Sequence, residues 1–533
     1  MISLARQPFC LLLVLVISYG MIASLCSAGE GETIGFEIAV YEVTGNTLFP
    51  PEKLREIVAP FTGRGKTAAD VERARDALEK FYHEAGYPAV MVNIPEQTLQ
   101  EGVVRLQVIE SRVARVKVTG NRYFTMEKVM KDLPSFTPGS ILYLPQVQKE
   151  IGRLNRSQDI KVDPVMTPGK ELGTIDVELK VEDRLPLHGY LELNNRASWD
   201  TTPLRINGLV RYDNLWQREH SLSFQFQTAP LNTKEVLLLG GIYVLPAPWQ
   251  EDDQLALYGI WSDSNTAFGE GFTVIGKGQI IGTRYVMALP GYQLYSHNMT
   301  LGLDYKQFDE AEGFTTNSGQ ATHTPITYMP LSFSYSASLP DEWGGMTQFN
   351  GGLNMSLRGV VSQENQFELK RYKGLADYVY ETAGIQRTQK LPLGMNLFVK
   401  VDGQASNQPL VDNEQYTAGG MESVRGYKES EAAGDEALHG IVELSFPNPL
   451  EQSRIGKQLQ MTPYVFYDEA ELTILIPLPG TASTTKLAGT GVGMRGTMAK
   501  NLEYELDWAR ALVATSRTKS NAEMVYFKLK AVF

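Results

Sequence analysis

The sequence predicts two α+β modules of β-α-α-β-β order followed by a 16-stranded antiparallel transmembrane β-barrel. Three observations carry this reading. A segment with Val-Thr-Gly-Asn after a strand recurs at 43–46 and 118–121, a period of 75 residues. From about residue 187 the helical pattern gives way to short alternating strands whose connections are short and long in turn. The last residues, "VYFKLKAVF", alternate apolar and polar and end on an aromatic ring.

Residues 1–28 read as an export signal. Arg6 gives the positive charge, 9–25 is an apolar core, and Cys26-Ser27-Ala28 is a small-residue cleavage site. The only two cysteines, Cys10 and Cys26, leave with that signal, so the mature chain has no disulfide, catalytic thiol or thiolate metal site. A net charge of −12 argues against a nucleic-acid partner. A large exported chain without disulfides needs a big core or a closed sheet.

The first module spans 36–111 and the second 112–184. In the first, Thr67 and Asp70 form a capping box, and Val71, Ala74, Leu78 and Phe81 follow at helical spacing. Strands follow at 89–94 and 103–109. In the second, a helix at 145–155 turns Val147, Ile151 and Leu154 inward, and strands lie near 160–166 and 174–181. Each module presents a three-stranded sheet. The second strand is the expected edge, open for an extended partner chain to dock by strand addition, with Ala89, Val90, Val92 and Ile94 in one module and Ile160 and Val162 in the other.

The barrel occupies 187–533. In "HSLSFQFQT" Leu222, Phe224 and Phe226 point one way and Ser223, Gln225 and Gln227 the other, which suits a strand between lipid and a wet lumen or, as the alternative, one packed on a second sheet of a soluble sandwich. Strand six is expected from about Thr273 and strand ten from about Phe367. Turns such as "LPGYQ" and "MAKN" follow even-numbered strands, and long loops, above all 405–437, follow odd-numbered ones. This is the asymmetry of short periplasmic turns and long external loops. Phe527, Leu529 and Phe533 share the apolar face of the last strand, which would close the barrel against the first.

No chemistry competes with this reading. The six histidines are scattered and match no metal motif, "GKGQIIG" has no helix after it to hold a phosphate, and no nucleophile–base pair is found. An enzyme, a cofactor and a metal are not expected.

One cluster stands out in the long loop: Val424-Arg425-Gly426-Tyr427. Two others lie on strands, Phe466-Tyr467-Asp468 and Gly491-Val492-Gly493-Met494-Arg495. On strand 13, Tyr464, Phe466 and Asp468 share a face, and a carboxylate faces lipid only at high cost, so Asp468 looks into the lumen. With these motifs the chain resembles the two-partner-secretion outer-membrane transporters of the hemolysin secretion/activation type, and the modules resemble POTRA domains. The resemblance implies that the loop folds into the lumen and that Arg425 meets Asp468 on the wall. The family's wall motif is aromatic-x-Asp-x-Gly, and here Ala470 replaces the glycine. Gly489, Gly491 and Gly493 would make room for the loop, with Arg495 beside it. A plug helix is not expected, because the first strand starts near Phe36, soon after the cleavage site.

The implied function is export of an unfolded exoprotein from periplasm to cell surface without nucleotide hydrolysis. Its partners would be an exoprotein with an amino-terminal secretion domain, outer-membrane lipid and, during biogenesis, the barrel-assembly machinery. The alternative is an insertase that assembles other barrels, although relatives with that task tend to carry more modules.

Overall fold

The computed structural model describes residues 35–533 apart from 200, 251, 265, 270–271, 293, 313–321, 454–455 and 457. The expected export signal, 1–28, lies outside the described residues. The modules and the barrel form separate compact units.

In the first module, Val40–Thr44, Val90–Asn93 and Val103–Glu110 make a sheet in which the third strand is central. The first strand runs parallel to it and the second antiparallel. Helices Pro51–Val58 and Ala68–Glu84 bring Leu54, Val58, Ala74 and Leu78 onto Tyr41 and Leu106. The capping box forms: the Asp70 carboxylate accepts the Thr67 amide at 2.8 Å. That amide, with the Thr67 hydroxyl, holds the Asp70 carboxyl below the usual carboxylate range. The residue sealing the helix against the sheet is Tyr82 and not Phe81, because 3.6 residues per turn carry the inward stripe from Leu78 to Tyr82. Phe81 is half-buried and packs on Phe49, ring centres 4.9 Å apart.

The second module repeats the arrangement with Arg112–Thr119, Ile160–Pro168 and Thr174–Asp183, again with the third strand central. Its long helix is Leu144–Leu154, with Val147 and Leu154 buried and Ile151 half-buried. The first module also has a ribbon, Phe36–Ile38 paired with Gly63–Lys66, that the sequence pattern does not announce.

The barrel is closed, antiparallel and 16-stranded when the two pieces of strand eight, Thr322–Tyr328 and Leu331–Pro340, are taken together; both pair with strand seven, Ser296–Glu312. Alternation follows the lipid–lumen rule: Phe224 and Phe226 are exposed outward, while Gln225 and Gln227 are buried inward. Most strands begin close to where the pattern put them, with two exceptions. The segment near Thr273 belongs to a hairpin of Thr266–Gly269 with Phe272–Ile275, and barrel strand six starts after Gly276 and Lys277, at Gly278. Phe367 lies on a short helix, Glu364–Lys370, within the loop after strand nine (Gly345–Met355); strand ten is Val379–Lys390. In "NQFELK" the alternation of apolar and polar residues mimics a strand, but coiling lets Phe367 bury inside the barrel mouth beside Tyr328 and Tyr378.

Candidate functional site

The loop between strand 11 (Asn396–Ser406) and strand 12 (Glu436–Ser445) turns back into the lumen behind a short ribbon, Tyr416–Ala418 with Ala432–Gly434. Its innermost residues are Val424 to Tyr427. Strand 13 (Thr462–Thr473) faces them with Tyr464, Phe466, Asp468 and Ala470, all buried, while Val465 and Tyr467 are exposed on the lipid side.

Arg425 grips Asp468 with two parallel bonds, Nε to Oδ2 at 2.7 Å and Nη2 to Oδ1 at 2.8 Å. The Arg425 backbone amide adds a third at 3.0 Å. Asp468 is fully buried and Arg425 is 5% exposed. The guanidinium lies 3.4 Å from the Phe466 ring centre, a cation–π contact in a dry setting. Its Nη1 faces Glu443 at 3.4 Å and Asp507 at 3.8 Å. Glu443 is shared, since Arg495 also pairs with it and sits over the Tyr464 ring, 4.5 Å from its centre. A fork of planar donors suits two carboxylate oxygens at once, which an ammonium cannot match.

The flanking residues fix the loop backbone. Val424 packs with Tyr427, Ala470, Leu472 and Leu487. The Tyr427 hydroxyl lies 2.7 Å from the Val513 carbonyl and accepts the amides of Val513 and Ala488. Gly426 donates its N–H to the Tyr526 hydroxyl at 2.9 Å, and that hydroxyl donates onward to the Tyr427 carbonyl. Gly426 has φ +105°, and a Cβ there would lie 2.7 Å from the Ala511 nitrogen, so only glycine fits. Ala470 pairs without interruption with His439 and Leu487, and its methyl fills the pocket beside Val424. The departure from the family's glycine leaves the ladder regular.

The three alternating glycines divide their tasks. A Cβ on Gly489 would lie 1.8 Å from the Arg425 carbonyl oxygen, so this one makes room for the loop. Gly491 gives space to the Phe466 ring, and Gly493 to Tyr464 and Asp507, so these two serve wall side chains and not the loop. Gly489→Ala is therefore expected to lower export per barrel as Arg425→Ala does, measured as released partner over transporter abundance.

Sequence reasoning missed Glu443, Asp507 and Tyr526. The signal that placed Asp468 would have found the two acids. Glu443 shares a strand face with Ile441 and Ser445, and Asp507 alternates with the lipid-facing Leu506 and Trp508. Also missed were the loop's outer fastenings. Arg196 pairs with Glu422 at 2.6 Å and Glu429 at 2.9 Å, and Trp199 donates to Glu431 at 2.6 Å. On the far side, buried Glu414 accepts from Lys306, Tyr328 and Tyr380. Buried Asp435 pairs with Arg371 of the loop after strand nine at 3.0 Å. Phe367, Leu410 and Val411 fill the outward end of the lumen against Ile280, Phe308 and Ile326.

Strand 16 (Glu523–Val532) closes on strand 1 (Leu187–Asn194) through five paired positions, against twelve between strand 13 and strand 14 (Thr484–Met498). Gly189 and Phe533 exchange backbone bonds at 3.0 and 3.1 Å, and the exposed Phe533 ring covers Gly189. Leu529 lies on the same lipid-facing side, and Phe527 donates its amide to the Asn195 side chain at 2.8 Å.

The second strands of the modules are edges, but their outward groups are occupied. The Val92 amide donates to Glu79 at 2.9 Å, and His83 meets the Val90 carbonyl at 2.9 Å. The Asn155 amide side chain bonds both the N–H and the C=O of Val162, at 2.8 and 3.2 Å. Ala89 and Ile94 flank the first of these strands, and Ile160 opens the second. Both second strands are sheet edges as the pattern predicts, but side chains of the adjoining helices bond their outward groups, so these edges are not open to a partner strand.

Residues 36–111 match a POTRA domain of ShlB type, and 173–496 match the family described as Haemolysin secretion/activation protein ShlB/FhaC/HecB. The outer membrane transporter CdiB of Dickeya dadantii is 22% identical over 427 residues, covering 75% of this chain and 70% of the relative. The heme/hemopexin transporter protein HuxB of Haemophilus influenzae is 17% identical over 433 residues, 78% of this chain and 72% of its own. In fold, the chain is similar to CdiB from Escherichia coli, with TM-score 0.62, 18% identity and coverage of 96% and 93%. It is also similar to BamA from Haemophilus ducreyi lacking POTRA domains 1–3, with TM-score 0.56, 14% identity and coverage of 93% and 100%. With more than half its length matched, the chain belongs to the ShlB/FhaC/HecB family of secretion/activation proteins, outer-membrane transporters with periplasmic POTRA modules.

Proposed function

We propose that this chain captures one unfolded exoprotein in the periplasm and passes it through the barrel to the cell surface, with the Arg425–Asp468 pair as the lock that seats the loop. The observation that carries this reading is the filled lumen. A diffusion pore has no use for a loop held inside by a buried bidentate ion pair and an outward end packed with apolar side chains. The lock holds the resting barrel in one arrangement, and a passing chain must displace the loop. Transport then needs no nucleotide: folding of the exoprotein outside prevents its return. The partner carries an amino-terminal secretion segment that the modules hold, and the barrel-assembly machinery inserts the transporter.

Proteins released by cells with and without this gene give the test. Loss of one large exoprotein from the medium, with other outer-membrane barrels at normal levels, is the expected result. Broad loss of barrels would instead mean an insertase, and an unchanged medium would end the export reading.

A further inference from the structure

Each module has two sheet edges, and the hydrogen bonds divide them into closed and open. On the second strands, outward positions Val90, Val92 and Val162 are bonded to Tyr87, His83, Glu79 and Asn155. The next outward position after Val162 is Pro164, which has no N–H to offer. These are the devices by which sheets refuse an added strand.

The first strands differ. In the first module Val40 donates to Gly102, and Arg105 on the central strand turns its backbone the other way, to Gln97. Alternation in a parallel ladder then directs Val40, Glu42 and Thr44 to the central strand and leaves Tyr41 and Val43 facing outward. In the second module Arg112 donates to Gly173, and a bulge between Val113 and Arg115 resets the phase, so Val116 and Val118 face outward. Among the described residues, no hydrogen bond reaches the outward backbone of these four positions. Tyr41 and Val43 are each 75 residues from Val116 and Val118, so the repeat places the same open edge twice, just before each Val-Thr-Gly-Asn turn.

We propose that the exoprotein docks by strand addition on the outer side of the first strands, at Tyr41 and Val43 and at Val116 and Val118, and not on the second strands. This rests on the export reading. The occupant is an extended, unfolded stretch of polypeptide, because the edge offers two N–H and two C=O groups per module in strand geometry and no pocket for a folded surface. Each short edge binds weakly, and two on one chain bind together far better than either alone.

The test uses the full-length transporter in the membrane, whose only cysteines are Cys10 and Cys26. Single substitutions Glu42→Cys and Lys117→Cys mark the first strands, and Met91→Cys and Lys161→Cys the second; all four side chains are exposed. The probe is the exoprotein lost from the medium of the deletion strain, carrying single cysteines in its amino-terminal segment. Disulfide yields at Glu42→Cys and Lys117→Cys are expected to exceed those at Met91→Cys and Lys161→Cys by about tenfold or more. Equal yields, or yields higher on the second strands, would overturn the proposal while leaving export intact. If deletion removes no exoprotein, the export reading fails, and this proposal with it.

Discussion

Arg425→Ala and Asp468→Ala are each expected to cut export about tenfold or more at near-normal barrel abundance, with a double variant little worse than either. Breaking a buried pair from one side leaves an uncompensated charge and costs about 3–5 kcal/mol. The cost falls on the loop, because the inter-strand ladder does not pass through the pair, so the barrel persists while Val424, Gly426 and Tyr427 lose their seats. Arg425→Ala is expected to be the harsher change. It strips Asp468 of two bonds and leaves Asp507 without its nearest guanidinium, whereas Asp468→Ala still leaves Arg425 near Glu443 and Asp507. Arg425→Lys is expected to be impaired too, since an ammonium cannot reproduce two parallel bonds. Released partner divided by transporter abundance checks all four variants. Fully multiplicative losses in the double variant would mean that the two residues act separately.

Deletion of Phe533 is expected to lower the amount of barrel in the outer membrane several-fold, leaving export per surviving barrel near normal. The seam between strands 16 and 1 is short, and Phe533 adds its last two backbone bonds as well as a ring over Gly189. Removing it takes a large share of what closes the barrel and touches nothing near Arg425. Gly189→Val is expected to give the same biogenesis defect, because a side chain there would displace that ring. Quantifying heat-modifiable barrel in outer-membrane fractions checks both. Normal accumulation with failed export would place strand 16 in the transport step and not in closure.

Period-2 alternation made the barrel legible, since residues that meet lipid and lumen must differ in polarity. The same rule places Asp468 inward from the sequence alone. Strand ten was misplaced because six residues around Phe367 alternate equally well as an edge of helix, and the pattern carries no length to arbitrate. The pairing of Arg425 with Asp468 came from a resemblance of motifs. Arg425 taken alone is a loop arginine, and nothing in its neighbours states how far the loop reaches. Glu443 and Asp507 could have been read from strand alternation, because each is a carboxylate on an inward face. The helix caps on the modules' second strands were beyond such reading. Glu79, His83 and Asn155 are ordinary surface residues until the helix lies beside the strand, although Pro164 in an edge strand already hinted at a closed side.

Export as proposed requires that a polypeptide cross the membrane through this lumen. Gln348 and Phe349 are adjacent on strand nine (Gly345–Met355). Gln348 bonds to Gln386 on the inner wall, and Phe349 is 43% exposed on the lipid side. An exoprotein fused at its carboxyl end to a tightly folded domain would stall in transit, and cysteines along it could be crosslinked to Gln348→Cys or Phe349→Cys. Crosslinks to Gln348→Cys and none to Phe349→Cys are expected. Crosslinks at Phe349→Cys, or none at Gln348→Cys while export of the unfused exoprotein proceeds, would contradict passage through the lumen.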